Sequence, residues 1–329
     1  MASESENGAS PSSLSRRLHS KFPPPRPRYG PAPARYLNEP RGCFHRLLFK
    51  ALPPPLQTDV PWYSPSLDSR IEEFRKFFTA YTGNDDVDLA QVVHRVRDRA
   101  WALMPYPCLG RGWFLLPGLA GLDIWPQVVE AARCGQSILD LGCGLGQDLR
   151  MLHSDSGGAG KLYAADGIPE MWELGCELFQ DHEKQVAKFL CADLRRYCST
   201  LKKGDVGSID VIITSGFLDL FDWCGQMDIM QTLPYISHIG TKVIGCAFGT
   251  AQHDGSEVSE SDRAVTGMFH SPNTFRAFWH DLGSKTLTNW SVECGLIELS
   301  DWGFDQDDLA CMVQPEPKLL QFVVTRVSL

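Results

Sequence analysis

Three glycines at alternate positions, Gly142, Gly144 and Gly146, follow the apolar run Ser137-Ile138-Leu139-Asp140-Leu141 and precede the helix-forming Gln147-Asp148-Leu149. Glycine is demanded where the backbone takes positive φ or must pass close to a ligand. A strand, a glycine turn and a helix in succession present free N–H groups at a helix N-terminus, so the chemistry on offer is nucleotide binding. The spacing is not that of a dinucleotide loop, which needs glycine or alanine three residues after the second glycine; Gln147 stands there. Two further acids extend the site. Asp166 ends Leu162-Tyr163-Ala164-Ala165, about twenty residues beyond the loop, where a carboxylate accepts both ribose hydroxyls. Asp193 ends Leu190-Cys191-Ala192, where it can accept from an exocyclic adenine amine, with Ile168, beside Gly167, and Leu194 as apolar walls for the base. One such acid alone is an ordinary helix cap or loop residue. Together, at the carboxyl ends of three successive strands, they define a binding site.

Placing these residues requires alternating strands and helices. From residue 137 onward the pattern predicts strands over 137–141, 161–166, 188–192, 209–215 and 242–246, with helices over 169–185 and 273–282. Two β-like runs, 288–299 and 319–327, complete a parallel sheet wound on both faces. Before it, Leu67, Ile71, Phe74, Phe77 and Phe78 form an apolar stripe stopped by Gly83-Asn84, and Asp88 opens a second helix carrying Leu89, Val92, Val93, Val96 and Ala100. The link 104–114, rich in proline and aromatics, reads as irregular, and its Trp113 and Phe114 are candidates for a pocket wall. The expected organisation is a proline-rich extension over 1–60, a helical cap over 61–115 and a nucleotide-binding domain over 116–329. Within the extension, Ser, Pro and Arg dominate and disorder is expected, although Phe44, Leu47, Leu48 and Phe49 fall at helical spacing.

Composition narrows the class. A net charge of −9 argues against nucleic acid as the principal partner, since that footprint needs a basic face, and no apolar run is long enough to span a membrane. No secretory signal is visible, and Glu4 and Glu6 disagree with a transit peptide, so a cytoplasmic protein is expected. The eleven cysteines form no C-x-x-C pair and no finger-like spacing with histidine, so they read as reduced, small apolar residues and no metal site is expected.

The loop Leu139-Asp140-Leu141-Gly142-Cys143-Gly144-Leu145-Gly146, Asp166, Ala192-Asp193-Leu194 and Ile209-Asp210-Val211-Ile212-Ile213-Thr214-Ser215 resemble class I S-adenosylmethionine-dependent methyltransferases from about residue 100 to 327. The resemblance implies an α/β fold, a Rossmann-like sheet with helices on both faces and an N-terminal helical cap. It implies S-adenosylmethionine as cofactor, held by Asp140, Gly142, Cys143, Gly144, Gly146, Asp166, Gly167, Ile168, Asp193, Leu194 and Ser215. A narrower likeness lies in Ser215–Trp223, Met268–Trp279 and Gly283-Ser284-Lys285-Thr286, which resemble fungal secondary-metabolite methyltransferases, above all those that esterify the carboxyl group of farnesylated polyketide acids in meroterpenoid pathways. The long proline-rich N-terminus departs from that pattern.

The acceptor side is less determined. A carboxylate is already ionised near neutral pH and needs no base, whereas a phenol, alcohol or amine needs one. His253 and His270, after the fifth strand, are the candidate catalytic groups; loop histidines are also common surface or structural residues. Phe217, Phe221 and Trp223 follow the fourth strand, where they line an apolar acceptor pocket or, as the equal alternative, pack into the core, while Trp172 and Trp279 read as core. The partner is therefore a small-molecule acceptor, with a homodimer open as the assembly. Alternatives are a phenol or N-methyltransferase with a histidine base, and a non-catalytic cofactor-binding protein.

Overall fold

A computed structural model describes residues 58–192, 208–260, 265–312 and 316–328. The proline-rich extension up to residue 57, with its stretch around Phe44–Phe49, lies outside the described residues. Helices α1 (Asp68–Thr82) and α2 (Leu89–Leu103) come first. As expected, Gly83 ends α1 in the left-handed region at φ +70°, and the Asp88 carboxylate caps α2 by accepting from Gln91 N–H at 3.0 Å. The link that follows is not irregular. It forms a one-turn helix, Pro107–Gly110, and a 3₁₀ turn, Trp113–Leu115, because proline at the first helical position presets φ and has no N–H to lose.

The domain proper runs α3 (Trp125–Arg133), β1 (Ser137–Leu141), α4 (Gln147–Asp155), β2 (Lys161–Asp166), α5 (Pro169–Phe179), β3 (Lys188–Cys191), β4 (Ile209–Ser215), α6 (Trp223–Met230), β5 (Ser237–Gly249), a hairpin of β6 (Ser256–Glu260) and β7 (Val265–Phe269), α7 (Pro272–Thr286), β8 (Asn289–Glu298), α8 (Gln306–Ala310) and β9 (Lys318–Ser328). The main sheet has the order β3-β2-β1-β4-β5-β9-β8. Strands β1 to β5 are mutually parallel, and β9 runs antiparallel between β5 and β8. Alternation along β1 divides the core: Ile138 faces α3 and α4 with Val211 and Ile244, while Leu139 and Leu141 face α6 and α7 with Ile212, Val243 and Phe322. This is the Rossmann-like sheet covered on both faces. Strand order reverses between β1 and β4, and such a switch point opens a ligand crevice at the carboxyl ends of the strands.

Two boundaries differ from the pattern. Helix α5 stops at Phe179 rather than continuing to 185, because Gln180 takes φ +53° and turns the chain out. Strand β5 runs from 237 to 249, well beyond 242–246, since β9 pairs with it as far as Gly249. The β6–β7 hairpin, a polar insertion after β5, was not foreseen. A third core cluster joins α1 and α2 to the outer face of α5 through Phe74, Phe78, Val93, Val96, Leu174, Leu178 and Phe179. Leu145 of the glycine turn also belongs to it, which puts the cap in contact with the loop. No helix among the described residues is long and apolar enough to cross a membrane.

Candidate active site

All three loop glycines are at positive φ: Gly142 at +78°, Gly144 at +53° and Gly146 at +71°. The turn is knitted to the neighbouring strand, Gly142 N–H and Cys143 N–H both donating to Ala165 O at 2.8 and 3.1 Å. Each glycine has its own reason. A Cβ on Gly142 would fall 2.2 Å from Cδ2 of Phe217, and one on Gly146 would fall 2.5 Å from Cζ3 of Trp172 and 2.6 Å from Nη1 of Arg150. A Cβ on Gly144 would meet nothing within 4 Å. The loop is thus packed at both ends and open at its centre, the shape of a cradle for a ligand.

Asp166 bridges the mouth of this cradle. Its two carboxylate oxygens accept from Gly144 N–H at 2.9 Å and from Ile168 N–H at 2.8 Å, and Gly167 N–H also favours the ionised carboxylate. Burial raises its pKa, opposed by those backbone N–H groups. Asp140, 4% exposed at the end of β1, is pushed well above the carboxylate range by burial and by the nearby Asp148 and Asp166 charges. Asp148, in the first turn of α4, is pushed up to about 6 by burial, with Leu119 N–H (3.2 Å) and the Ser215 hydroxyl favouring its ionised form. Three buried carboxyl groups thus surround one loop, and a positively charged ligand arriving there would favour their ionised forms.

The other expected cofactor residues fall around the same crevice. Cys143 is buried in the turn, Gly167 is exposed directly after Asp166, and Ile168 caps α5 at the edge of the cap cluster. Ser215 ends β4 and its hydroxyl lies 3.3 Å from the Cys246 thiol of β5. Asp193 and Leu194 lie outside the described residues.

On the acceptor side, Phe217 leans over Gly142 and stands edge-on to Phe221 with ring centroids 5.1 Å apart. Trp113 and Phe114 part company. The Trp113 ring packs on Phe304 and Phe248 and its Nε1–H donates to Asp308, whereas Phe114 turns into the cap core rather than toward Phe217. Trp223 packs on Phe278 and His270 instead of joining the Phe217–Phe221 pair. Trp172 and Trp279 are core, as expected.

The two histidines are far apart in environment. His253 is solvent-exposed beside Asp254 at 3.1 Å. His270 is 2% exposed, with Nε2 2.9 Å from Gln226 Oε1 and Nδ1 3.2 Å from Thr274 Oγ1. Because the Gln226 amide nitrogen donates to Phe221 O and Met268 O, its oxygen is free to accept, which assigns the proton to Nε2 of His270. Burial pushes the imidazole down to about 3. A neutral histidine held this way destabilises the fold as pH falls from 6.5 toward 3, since the unfolded chain takes a proton there and the folded one does not. Between pH 7 and pH 5 the stability difference between His270→Asn and the parent, read by urea denaturation, should move about 2 kcal/mol in the variant's favour. An unchanged difference would show that the ring ionises within the fold.

Sequence reasoning passed over Asp148, Arg150, Gly175 and Asp219. A Cβ on Gly175 of α5 would lie 2.0 Å from Leu145 O, so this glycine lets the loop backbone sit against the helix. Asp219 offered the clearest signal: one acid inside the apolar Phe217-Leu218-Asp219-Leu220-Phe221.

A glycine cradle at the β1/β4 switch point, an acid ending β2 and the sheet order together define a class I, Rossmann-like methyltransferase. Residues 62–115 match the family model of the meroterpenoid methyltransferase N-terminal domain. The O-methyltransferase atr3 of Stereocaulon alpinum is 30% identical over 253 residues, covering 74% of this chain and 73% of that one. The asnovolin E/chermesin D methyltransferase nvfJ of Aspergillus novofumigatus is 32% identical over 237 residues, covering 70% and 85%. The chain belongs to this family of fungal secondary-metabolite methyltransferases. The open centre of the loop, the Asp166 carboxylate and the acidic surroundings fit the cationic nucleoside that the resemblance implies, S-adenosylmethionine.

Proposed function

We propose that this methyltransferase esterifies the carboxyl group of a hydrophobic, terpenoid- or polyketide-sized acid. The observation that carries the reading is the placement of the histidines: the exposed His253 pairs with Asp254, and His270 is enclosed, neutral and fully engaged, so neither is set to remove a proton from an alcohol or phenol. An ionised carboxylate needs no such help. When bound, S-adenosylmethionine supplies a methyl group on a positively charged sulfur. Asp140, Gly142, Cys143, Gly144 and Gly146 would hold its methionine portion, Asp166 its ribose and Gly167 and Ile168 the start of its base, with Ser215 closing the crevice from β4. Phe217 and Phe221 then do two things for this chain: they give an apolar acceptor a surface and they keep water from the reacting atoms. Transfer needs acceptor oxygen and methyl carbon at about 3–3.5 Å in line, which is a matter of positioning rather than acid–base chemistry.

The test uses full-length protein, methyl-labelled S-adenosylmethionine and farnesylated 2,4-dihydroxy-6-methylbenzoic acid, a probe that carries both a carboxyl and phenols. Label released as methanol by mild alkali identifies the ester. Label that survives alkali, as an aryl ether would, overturns the reading.

A further inference from the structure

We propose that Asp219 is the group that orients the acceptor, its carboxyl proton donating a hydrogen bond to one oxygen of the acceptor's carboxylate. This rests on the carboxylate reading above and adds a residue to it. Asp219 lies in the 3₁₀ turn Leu218–Leu220, directly after β4, two residues from the Phe217 ring that touches the glycine loop. Its side chain is 6% exposed, and Oδ1 has no hydrogen-bond partner among the described residues. Buried polar atoms are nearly always satisfied, and one left open beside a ligand crevice calls for a ligand to satisfy it.

The surroundings decide which form the group takes. On β5 the Cys246 thiol lies close enough to feel the Asp219 charge, and the same thiol feels Asp148 of α4. On the turn's other side β7 presses its backbone against Asp219 O, where a Cβ on Gly267 would lie 2.3 Å away; Gly267 and Met268 bring no ionisable group, and Glu257 and Glu260 stand on the partner strand β6. Asp222, next along the chain, is occupied as the cap of α6, accepting from Gly225 N–H at 2.7 Å. Burial pushes Asp219 up to about 7, against the backbone N–H groups of Asp219 and Phe248. A second carboxylate arriving beside it raises it further, so the two share one proton. One acceptor oxygen takes the hydrogen bond and the other keeps its lone pair. The bond that forms is acceptor oxygen to methyl carbon, the bond that breaks is methyl carbon to sulfur, its electron pair stays on sulfur, and Asp219 keeps its proton.

The experiment compares the full-length parent with Asp219→Asn and Asp219→Leu, using the farnesylated acid as probe. An amide donates a hydrogen bond at every pH; a leucine donates none. In the parent, kcat/KM should fall about tenfold per pH unit above the apparent pKa. Asp219→Asn should stay within about tenfold of the parent at pH 6 and lose that alkaline fall, while Asp219→Leu should lose about 100-fold in kcat/KM with its S-adenosylmethionine affinity unchanged. An inactive Asn variant and a parent rate that rises with pH would make Asp219 a base and overturn the proposal. Ester formed equally well by all three proteins would overturn it while leaving the carboxylate reading intact, whereas an alkali-stable product would remove that reading first. Infrared difference spectra of parent minus Asp219→Asn need no turnover: a protonated carboxyl at pH 6 is required, and its absence is fatal.

Discussion

Gly144→Ala is expected to abolish S-adenosylmethionine binding and leave the chain folded. At φ +53° an alanine costs about 1–2 kcal/mol, and its methyl group meets nothing in the empty protein, so the fold loses no more than that strain. The same methyl projects into the open centre of the cradle, where the ligand must touch the backbone. Calorimetry should show affinity down by at least about 100-fold, with a melting temperature within several degrees of the parent. Gly146→Ala is the contrast. Its Cβ falls 2.5 Å from the Trp172 ring and 2.6 Å from the Arg150 guanidinium, so it should lose stability first and binding as a consequence. A Gly144→Ala protein that binds S-adenosylmethionine at parental affinity would show that this loop is not the cradle.

The contrast between those glycines marks what the sequence could and could not say. Alternate glycines after an apolar strand announce a turn at positive φ, because almost no other residue tolerates it; Asp166 is legible for a similar reason, being the single acid at the end of an otherwise apolar strand. Strands β1, β2 and β4 are short apolar runs bounded by polar turns and were found nearly to the residue. What stayed hidden depends on partners distant in the chain. Trp113 and Phe114 are neighbours of like character, yet one packs beside β5 and the other enters the cap core, a choice set by the 3₁₀ turn that carries them. His270 looks like a loop base in sequence and becomes a buried neutral group only because Gln226 of α6 and Thr274 of α7 meet it. The hairpin β6–β7 escaped because Ser256-Glu257-Val258-Ser259-Glu260 is too polar to read as a strand until β7 pairs with it.

Arg150 is the largest of these hidden contributors, and Asp181→Ala is expected to show it by costing about 3–5 kcal/mol of stability, the usual result of stripping one partner from a buried ion pair. Both side chains are almost wholly buried, and the contact is two-pronged: Nε to Oδ2 at 2.7 Å and Nη2 to Oδ1 at 2.9 Å. Burial alone would raise the Asp181 pKa, but Arg150 holds it below the ordinary range, and the cap adds a donor through Tyr81 O–H at 2.6 Å. The remaining prong of the fork faces the site. Nη1 donates to Leu145 O at 2.8 Å and Gly146 O at 3.1 Å, while the guanidinium lies over the Trp172 and Phe179 rings at 4.7 Å from each centroid. The pair therefore serves two ends, anchoring Asp181 to the core and holding the carbonyls of the glycine turn so that its open side faces the crevice. A double variant separates them. Arg150→Met with Asp181→Leu removes both charges, so chemical denaturation should recover most of the stability lost in Asp181→Ala. Leu145 O then loses its side-chain donor and Gly146 O keeps only the backbone N–H of residue 150, so S-adenosylmethionine affinity should remain about tenfold or more below the parent. Recovery of stability together with parental affinity would mean that the turn holds its shape without Arg150, leaving the glycines and Asp166 to define the cradle by themselves.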